Sequence, residues 1–270
     1  MQDKFDSGPP GDDFSPARRR LLAGSAAGVT VFVQPVAAQN AQPAAPPPAE
    51  IQTGAGTTES LGKSITVFFD GKRCIHARYC VLGAPKVFLA NVQGPWIRPD
   101  GDTVENLVHT IRQCPSGALT YKRNDGGSAE PAPLVNLMRM RENGPLTVHA
   151  KVNLKGGGEV LRATLCRCGV SKTKPYCDNS HKAAKFVASG EASPGPDMTP
   201  LAERGGQLTV TPLTDGPYLT QGNMEMVTGT GATIARTTTA ILCRCGGSKN
   251  KPYCDGTHSV ISFKARGYEA

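Results

Sequence analysis

The sequence predicts an α+β protein: one small mixed domain, then two β-rich modules built on a common plan. Three observations carry this. A cysteine–histidine pattern occurs twice, at an offset of 77 residues. Each copy is preceded by polar–apolar alternation, the period of a strand with one buried face. Upstream of both, a strand-like apolar run is followed by a helical stripe and a further cysteine triplet.

The chain opens with an address. Residues 1–38 place Arg18-Arg19-Arg20-Leu21-Leu22 before a mildly apolar stretch, and Val36-Ala37-Ala38 offers a small-residue cleavage site. This resembles a twin-arginine export signal and implies delivery of the folded, cofactor-loaded protein to the periplasm. The alternative is an uncleaved signal anchored in the inner membrane. Residues 39–64 follow, rich in Ala, Pro, Gln, Gly and Thr around Pro46-Pro47-Pro48. They read as a linker without a core-forming pattern.

Residues 65–123 read as the first folded domain. Ile65–Phe69 is an expected strand. Asp102-Thr103-Val104-Glu105 resembles a capping box. Val104, Leu107, Val108 and Ile111 then supply the i, i+3, i+4, i+7 stripe of a core-facing helix. Cys74, His76 and Cys80 precede that helix, and Cys114-Pro115 ends it.

The tandem modules are expected over residues 133–190 and 205–270. Leu146–Leu154 is the clearest alternating strand. The copies run from Cys166 to His181 and from Cys243 to His258, both as C-x-C-x8-C-x3-H. Cys166 and Cys168, separated by one residue, can turn to one centre. Cys177 and His181, four apart, share a face of one helical turn, which Asp178 and Ser180 suit as a start. Cys243, Cys245, Cys254 and His258 repeat this. Such a donor set can hold one zinc, or two irons bridged by two sulfides, and spacing alone leaves both open.

The cysteine count agrees with metal sites. Nine cysteines cannot all enter disulfides, and they fall into three groups of three. Aromatics make up only 6% while Gly (31) and Pro (22) are plentiful. Loop-rich modules with such small cores need a staple such as a metal.

Both tandem copies resemble the CDGSH iron–sulfur domain of the mitoNEET family, whose motif is C-x-C-x2-S/T-x3-P-x-C-D-G-S/A/T-H. The second copy fits throughout. In the first, Asn179 stands where the motif has glycine; asparagine tolerates the left-handed backbone that glycine supplies. The resemblance implies a [2Fe–2S] cluster in each copy. Cys166 and Cys168 would bind one iron, Cys177 and His181 the other; Cys243/Cys245 and Cys254/His258 would divide likewise. It also implies modules related by a pseudo-two-fold, an arrangement that single-copy members reach by dimerising, and hence a monomer.

Residues 65–123 resemble the divergent 4Fe–4S mono-cluster family, relatives of the small ferredoxins. Cys74, Cys80 and the remote Cys114-Pro115 fit, but Ala77 occupies the place of a ferredoxin's middle cysteine. His76 is the substitute. With it, the site would hold a [4Fe–4S] cluster; on the three cysteines alone, a [3Fe–4S] cluster. The domain is thus expected to be ferredoxin-like.

No nucleotide-binding glycine motif, nucleophile motif or separate substrate domain is present in the sequence. The expectation is therefore an electron carrier rather than an enzyme. The alternative is a redox or pH sensor, or a cluster donor that uses labile histidine-ligated iron. A net charge of +8, with no basic run interleaved with aromatics, disfavours nucleic acid and suits acidic redox proteins as partners. Lys172, Lys174, Lys249 and Lys251 flank the sites, either as a solvated face or as offsets to thiolate charge.

Overall fold

The computed structural model describes residues 50–53, 56–192 and 198–269. The export signal expected over 1–38 lies outside them. Among the described residues no helix is long and apolar enough to cross a membrane.

In the first domain, β1 (Glu50–Thr53), β2 (Thr57–Leu61), β3 (Ile65–Asp70) and β4 (Leu119–Arg123) form an antiparallel sheet in that order. The linker expected over 39–64 therefore needs correcting at its end, since β1 and β2 are strands. A central strand left with one bare edge exposes unpaired N–H and C=O groups. Thr57–Leu61 covers that edge of β3 and buries Ser60 completely. Its residues are mostly polar and the run is short, so its period is invisible in sequence, although Thr57 and Thr58 favour strands.

Two helices follow: α1 (Tyr79–Gly83) and α2 (Val104–Arg112). The cap of α2 is Thr103, one residue later than the expected box: its hydroxyl accepts the Asn106 N–H at 3.3 Å. Asp102 instead accepts from the Thr103 N–H at 2.7 Å. Leu107 and Ile111 are fully buried against Ile65, Val67, Val87, Phe88 and Ile97, while Val104 and Val108 flank this core. Burying each such side chain is worth about 1.5–3 kcal/mol. That packing fixes the end of β3, α1 and the end of α2, the three places from which Cys74, Cys80 and Cys114 project.

The tandem modules repeat one order. The first has β5 (Leu137–Met140), β6 (Leu146–Leu154), β7 (Gly158–Leu165) and α3 (Ser180–Ala183). The second has β8 (Gln207–Pro212), β9 (Tyr218–Val227), β10 (Thr233–Leu242) and α4 (Thr257–Val260). Strand β6 pairs β7 on one edge. Its other edge takes β5 antiparallel along the first half and β8 parallel along the second. Strand β9 pairs β10, and its other edge takes β8 antiparallel and β5 parallel. Each module's first strand is thus shared with the other module. The core mixes Met138, Leu146 and Val148 with Leu208, Met224 and Leu242, so neither module has a core of its own.

Candidate metal centres

Strands β7 and β10 end directly before Cys166 and Cys243. The Cys166 N–H donates to Pro175 O at 2.9 Å and the Cys177 N–H to Thr164 O at 2.9 Å. Cys243 and Cys254 make the matching bonds to Pro252 O and Ile241 O at 2.8 and 2.9 Å. These bonds lay the two ligand-bearing segments of each copy side by side. Ser171 and Ser248 tighten the intervening loop, each donating to a tyrosine carbonyl at 2.7 Å. Asp178 accepts from the Lys172 and Ser180 N–H groups at 2.8 and 2.9 Å, Asp255 from Lys249 and Thr257 at 2.8 and 3.0 Å. Each aspartate clamps the loop to the start of the ligand helix.

The donors come together in pairs. Sγ–Sγ distances are 3.8 Å for Cys166–Cys168 and 3.9 Å for Cys243–Cys245. Sγ–Nδ1 distances are 3.5 Å for Cys177–His181 and 3.3 Å for Cys254–His258. Two sulfurs bound at about 2.3 Å to one tetrahedral ion stand about 3.8 Å apart, so each pair is spaced as two ligands of one ion. The donor set and its spacing fit an iron–sulfur group.

The electrostatics favour thiolate once metal arrives. A hydrogen bond within the Cys166–Cys168 pair holds Cys166 down and pushes Cys168 up, so the empty pair retains a proton. Burial pushes Cys177 up to about 11. Metal must displace these protons, and binding is therefore pH-dependent. Backbone N–H groups of Gly169 and Ser171 point at Cys166, those of Gly246 and Ser248 at Cys243. The flanking lysines divide: Lys174 donates to Ser171 O at 2.6 Å and Lys251 to Ser248 O, so both brace the loops. Lys172 and Lys249 contribute backbone N–H groups to the aspartate clamps.

Sequence reasoning missed Arg167 and Arg244, the central residues of the two C-R-C triplets. Both are 1% exposed. Arg167 donates to the carbonyls of Gly144, Ser189, Arg141 and Ala188 at 2.6–3.0 Å and lies over the Phe186 ring. Arg244 donates to Leu213 O and Arg266 O at 2.9 and 2.7 Å and lies over Phe263 and Tyr218. The signal was available, since an arginine stands at the same place in both repeats.

The two loops touch. A Cβ on Gly169 (φ +83°) would lie 2.3 Å from Cys245 O, and one on Gly246 (φ +80°) 2.4 Å from Cys168 O. Only glycine allows this approach, and it adopts this backbone region without strain. The Tyr218 hydroxyl, from the second module, donates to Cys166 O at 2.9 Å in the first.

The third site lies in the first domain. Cys74, His76, Cys80 and Cys114 line a single cavity of about 360 Å³, walled by Phe69 and Trp96. Cys74 Sγ and His76 Nδ1 are 4.0 Å apart, and His76 takes a left-handed φ of +53° that turns the loop around the cavity. Burial pushes the Cys74 and Cys80 thiols up, and the Cys114 charge adds to both. The expected donors thus share one wall-lined space, and their chemistry fits an iron–sulfur group. His109 is exposed and stands apart from all three sites.

Comparison with known proteins agrees with this geometry. Residues 61–124 match the family described as divergent 4Fe-4S mono-cluster. Residues 143–182 and 215–259 each match the family described as iron-binding zinc finger CDGSH type. The uncharacterized protein YjdI of Escherichia coli K12 is 43% identical over 61 residues, covering 23% of this chain and 79% of that protein. The YjdI of Escherichia coli O157:H7 matches to the same extent. No solved structure is significantly similar. Motifs, donor geometry and family matches converge, and the chain belongs to the iron–sulfur proteins that join a divergent 4Fe–4S mono-cluster domain to two CDGSH iron-binding domains.

Proposed function

We propose that the protein is an electron carrier with three clusters. Two are [2Fe–2S], on Cys166, Cys168, Cys177 and His181, and on Cys243, Cys245, Cys254 and His258. The third sits on Cys74, Cys80 and Cys114: [4Fe–4S] with His76 as the fourth ligand, [3Fe–4S] on the three cysteines alone. The match of both copies to the iron-binding CDGSH family, with the donors paired at 3.3–3.9 Å, supports the two-iron reading. Such clusters supply one-electron redox chemistry. The chain's own residues hold them, aim N–H groups at their sulfurs and keep buried guanidinium charge nearby, which tunes potential. Reciprocal strand sharing and the matched Gly169–Cys245 and Gly246–Cys168 contacts support two modules related by a pseudo-two-fold within a monomer. The reading is of a carrier rather than an enzyme. Its partners are acidic redox proteins.

The test is anaerobic purification with iron, sulfide and spectroscopic counts. About four irons are expected from the tandem sites and three or four from the first domain. Stoichiometric zinc without acid-labile sulfide or visible absorption would sink the proposal. The second reading, cluster donation or sensing, is favoured by one observation: Cys254 and His258 are only half-buried, whereas Cys177 and His181 are buried.

We also propose export to the periplasm by the twin-arginine route. Replacing Arg18 and Arg19 by Lys, which cannot present the planar guanidinium fork, should leave loaded protein in the cytoplasm. Unchanged periplasmic yield in that double variant would refute the route.

A further inference from the structure

Asn179 is the one position at which the first tandem copy departs from its motif. Its backbone takes φ +68°, the region that Gly256 occupies at +83° in the second copy. Its N–H donates to Cys177 Sγ at 3.4 Å. Its side chain does something glycine cannot: Nδ2 donates to Ile75 O at 2.9 Å. Ile75 lies between Cys74 and His76, in the ligand loop of the first domain. One residue therefore touches a ligand sulfur of one site and the ligand loop of another.

The contact belongs to a set. Arg162 of β7, 4% exposed, donates to Cys114 O at 2.6 Å and Ile111 O at 2.7 Å, and pairs with Glu130 at 2.7 Å. Thr164 donates to Pro115 O at 3.2 Å. Arg73, beside Cys74, donates to Arg162 O at 2.7 Å and lies over the Tyr176 ring. All converge on backbone next to ligands of the third site. The second copy carries none of this chemistry at the matching places. Arg162, Thr164 and Asn179 correspond to Thr239, Ile241 and Gly256. Ile241 is 50% exposed, and a Cβ on Gly256 would meet nothing within 4 Å. The first domain is thus docked on one tandem copy and not the other.

We propose that Asn179 is a docking residue that joins the Cys74–Cys80 ligand loop to the first tandem site, so that the three sites form an ordered series. The series runs from the first domain, through the Cys166–His181 site, to the Cys243–His258 site, whose face is open to a partner. This deepens the electron-carrier reading and, in its electronic part, rests on it. Each transfer moves one electron from a reduced site to its oxidised neighbour, with no bond made or broken and no proton required. The external donor is a low-potential one-electron reductant.

The test uses the full metal-loaded chain and three variants. Asn179→Gly keeps the backbone conformation and deletes only the bridge. Asn179→Asp keeps the size but turns the donor into a carboxylate facing a carbonyl. Gly256→Asn is the mirror control. Two quantities are read: amide hydrogen exchange over residues 74–80, and the rate at which an electron from flash-reduced deazaflavin redistributes between the first-domain and tandem signals in freeze-quench paramagnetic spectra. Loss of one such hydrogen bond should raise exchange in Asn179→Gly about five- to tenfold. Asn179→Asp should raise it further, with redistribution slowed severalfold in both and iron content kept. Gly256→Asn should match wild type. Exchange alike in Asn179→Gly and wild type would overturn the docking role. Altered exchange with unaltered redistribution would overturn the coupling. A zinc-loaded, colourless protein would defeat the electron-carrier reading alone, because exchange still decides the docking.

Discussion

Arg167→Met is expected to destabilise the loaded protein by on the order of 3–5 kcal/mol, because it removes at once the four hydrogen bonds made by a guanidinium on a 1% exposed residue. The carbonyls of Arg141, Gly144, Ala188 and Ser189 belong to the turn before β6 and the segment after α3. The guanidinium thus ties both flanks of the first tandem site together. It also lies in the field of Cys243, Glu142 and Cys168, so its loss removes positive charge beside both tandem sites. For a chain of this size the midpoint of thermal unfolding should fall by about 10 °C. Arg167→Lys should recover little, since an ammonium cannot span carbonyls held by a planar fork. Arg244→Met should cost less: Arg244 serves two carbonyls, and its Nε has no partner. Circular dichroism melts of the three variants check this ranking. An Arg167→Met protein that melts within a degree or two of wild type would show that the carbonyls find other donors.

The same arginines show what a sequence displays and what it hides. The tandem pattern was legible because ligation demands fixed residue types at fixed spacing, and the pattern occurs twice. All twelve expected ligands fall in the three sites, eight of them in four close pairs. Strand β6 was legible because one face is buried along all nine residues while the other is exposed at His149 and Lys151. Strand β2 was not, because it serves as cover for β3 and draws its order from backbone pairing rather than from an apolar face. Sharing of β5 and β8 between modules was also hidden: alternation marks a buried face but does not name the neighbour across the edge. Arg167 and Arg244 look like surface residues by type, since arginine is rarely buried unless paired. Only the carbonyls waiting in the fold make their burial possible. Asn179 read as a tolerated substitution for glycine, and its conformation agrees. Its partner lies 104 residues away, beyond the reach of any local pattern.

His181→Cys and His258→Cys are each expected to lower the potential of their own site by on the order of 100 mV or more, by analogy with centres in which histidine replaces cysteine. A thiolate adds a negative charge where the imidazole is neutral, and extra negative charge disfavours reduction. In both copies Nδ1 faces the cysteine sulfur, so it is the nitrogen placed to ligate, and acid would compete with a bound metal for it. The sign of the pH effect follows from the first copy. Burial, with Lys182 adding to it and Asp178 opposing, holds His181 below the ordinary histidine range. The folded site therefore binds this proton less tightly than the unfolded chain does, and stability falls as pH drops below about 6.5. The aspartate clamp does not share this window. Although burial pushes Asp178 up, the N–H groups of Lys172 and Ser180 hold it down to about 2, so the clamp stays charged well below pH 5. Any cluster loss near pH 5–6 would therefore fall to the histidines, and the cysteine variants should slow it. Decay of visible absorption between pH 5 and 8, followed in wild type and both variants, checks every step. Equal lifetimes at pH 5 and 8 in wild type would remove the histidines as the acid-sensitive ligands, and with them the main support for a pH-sensing role.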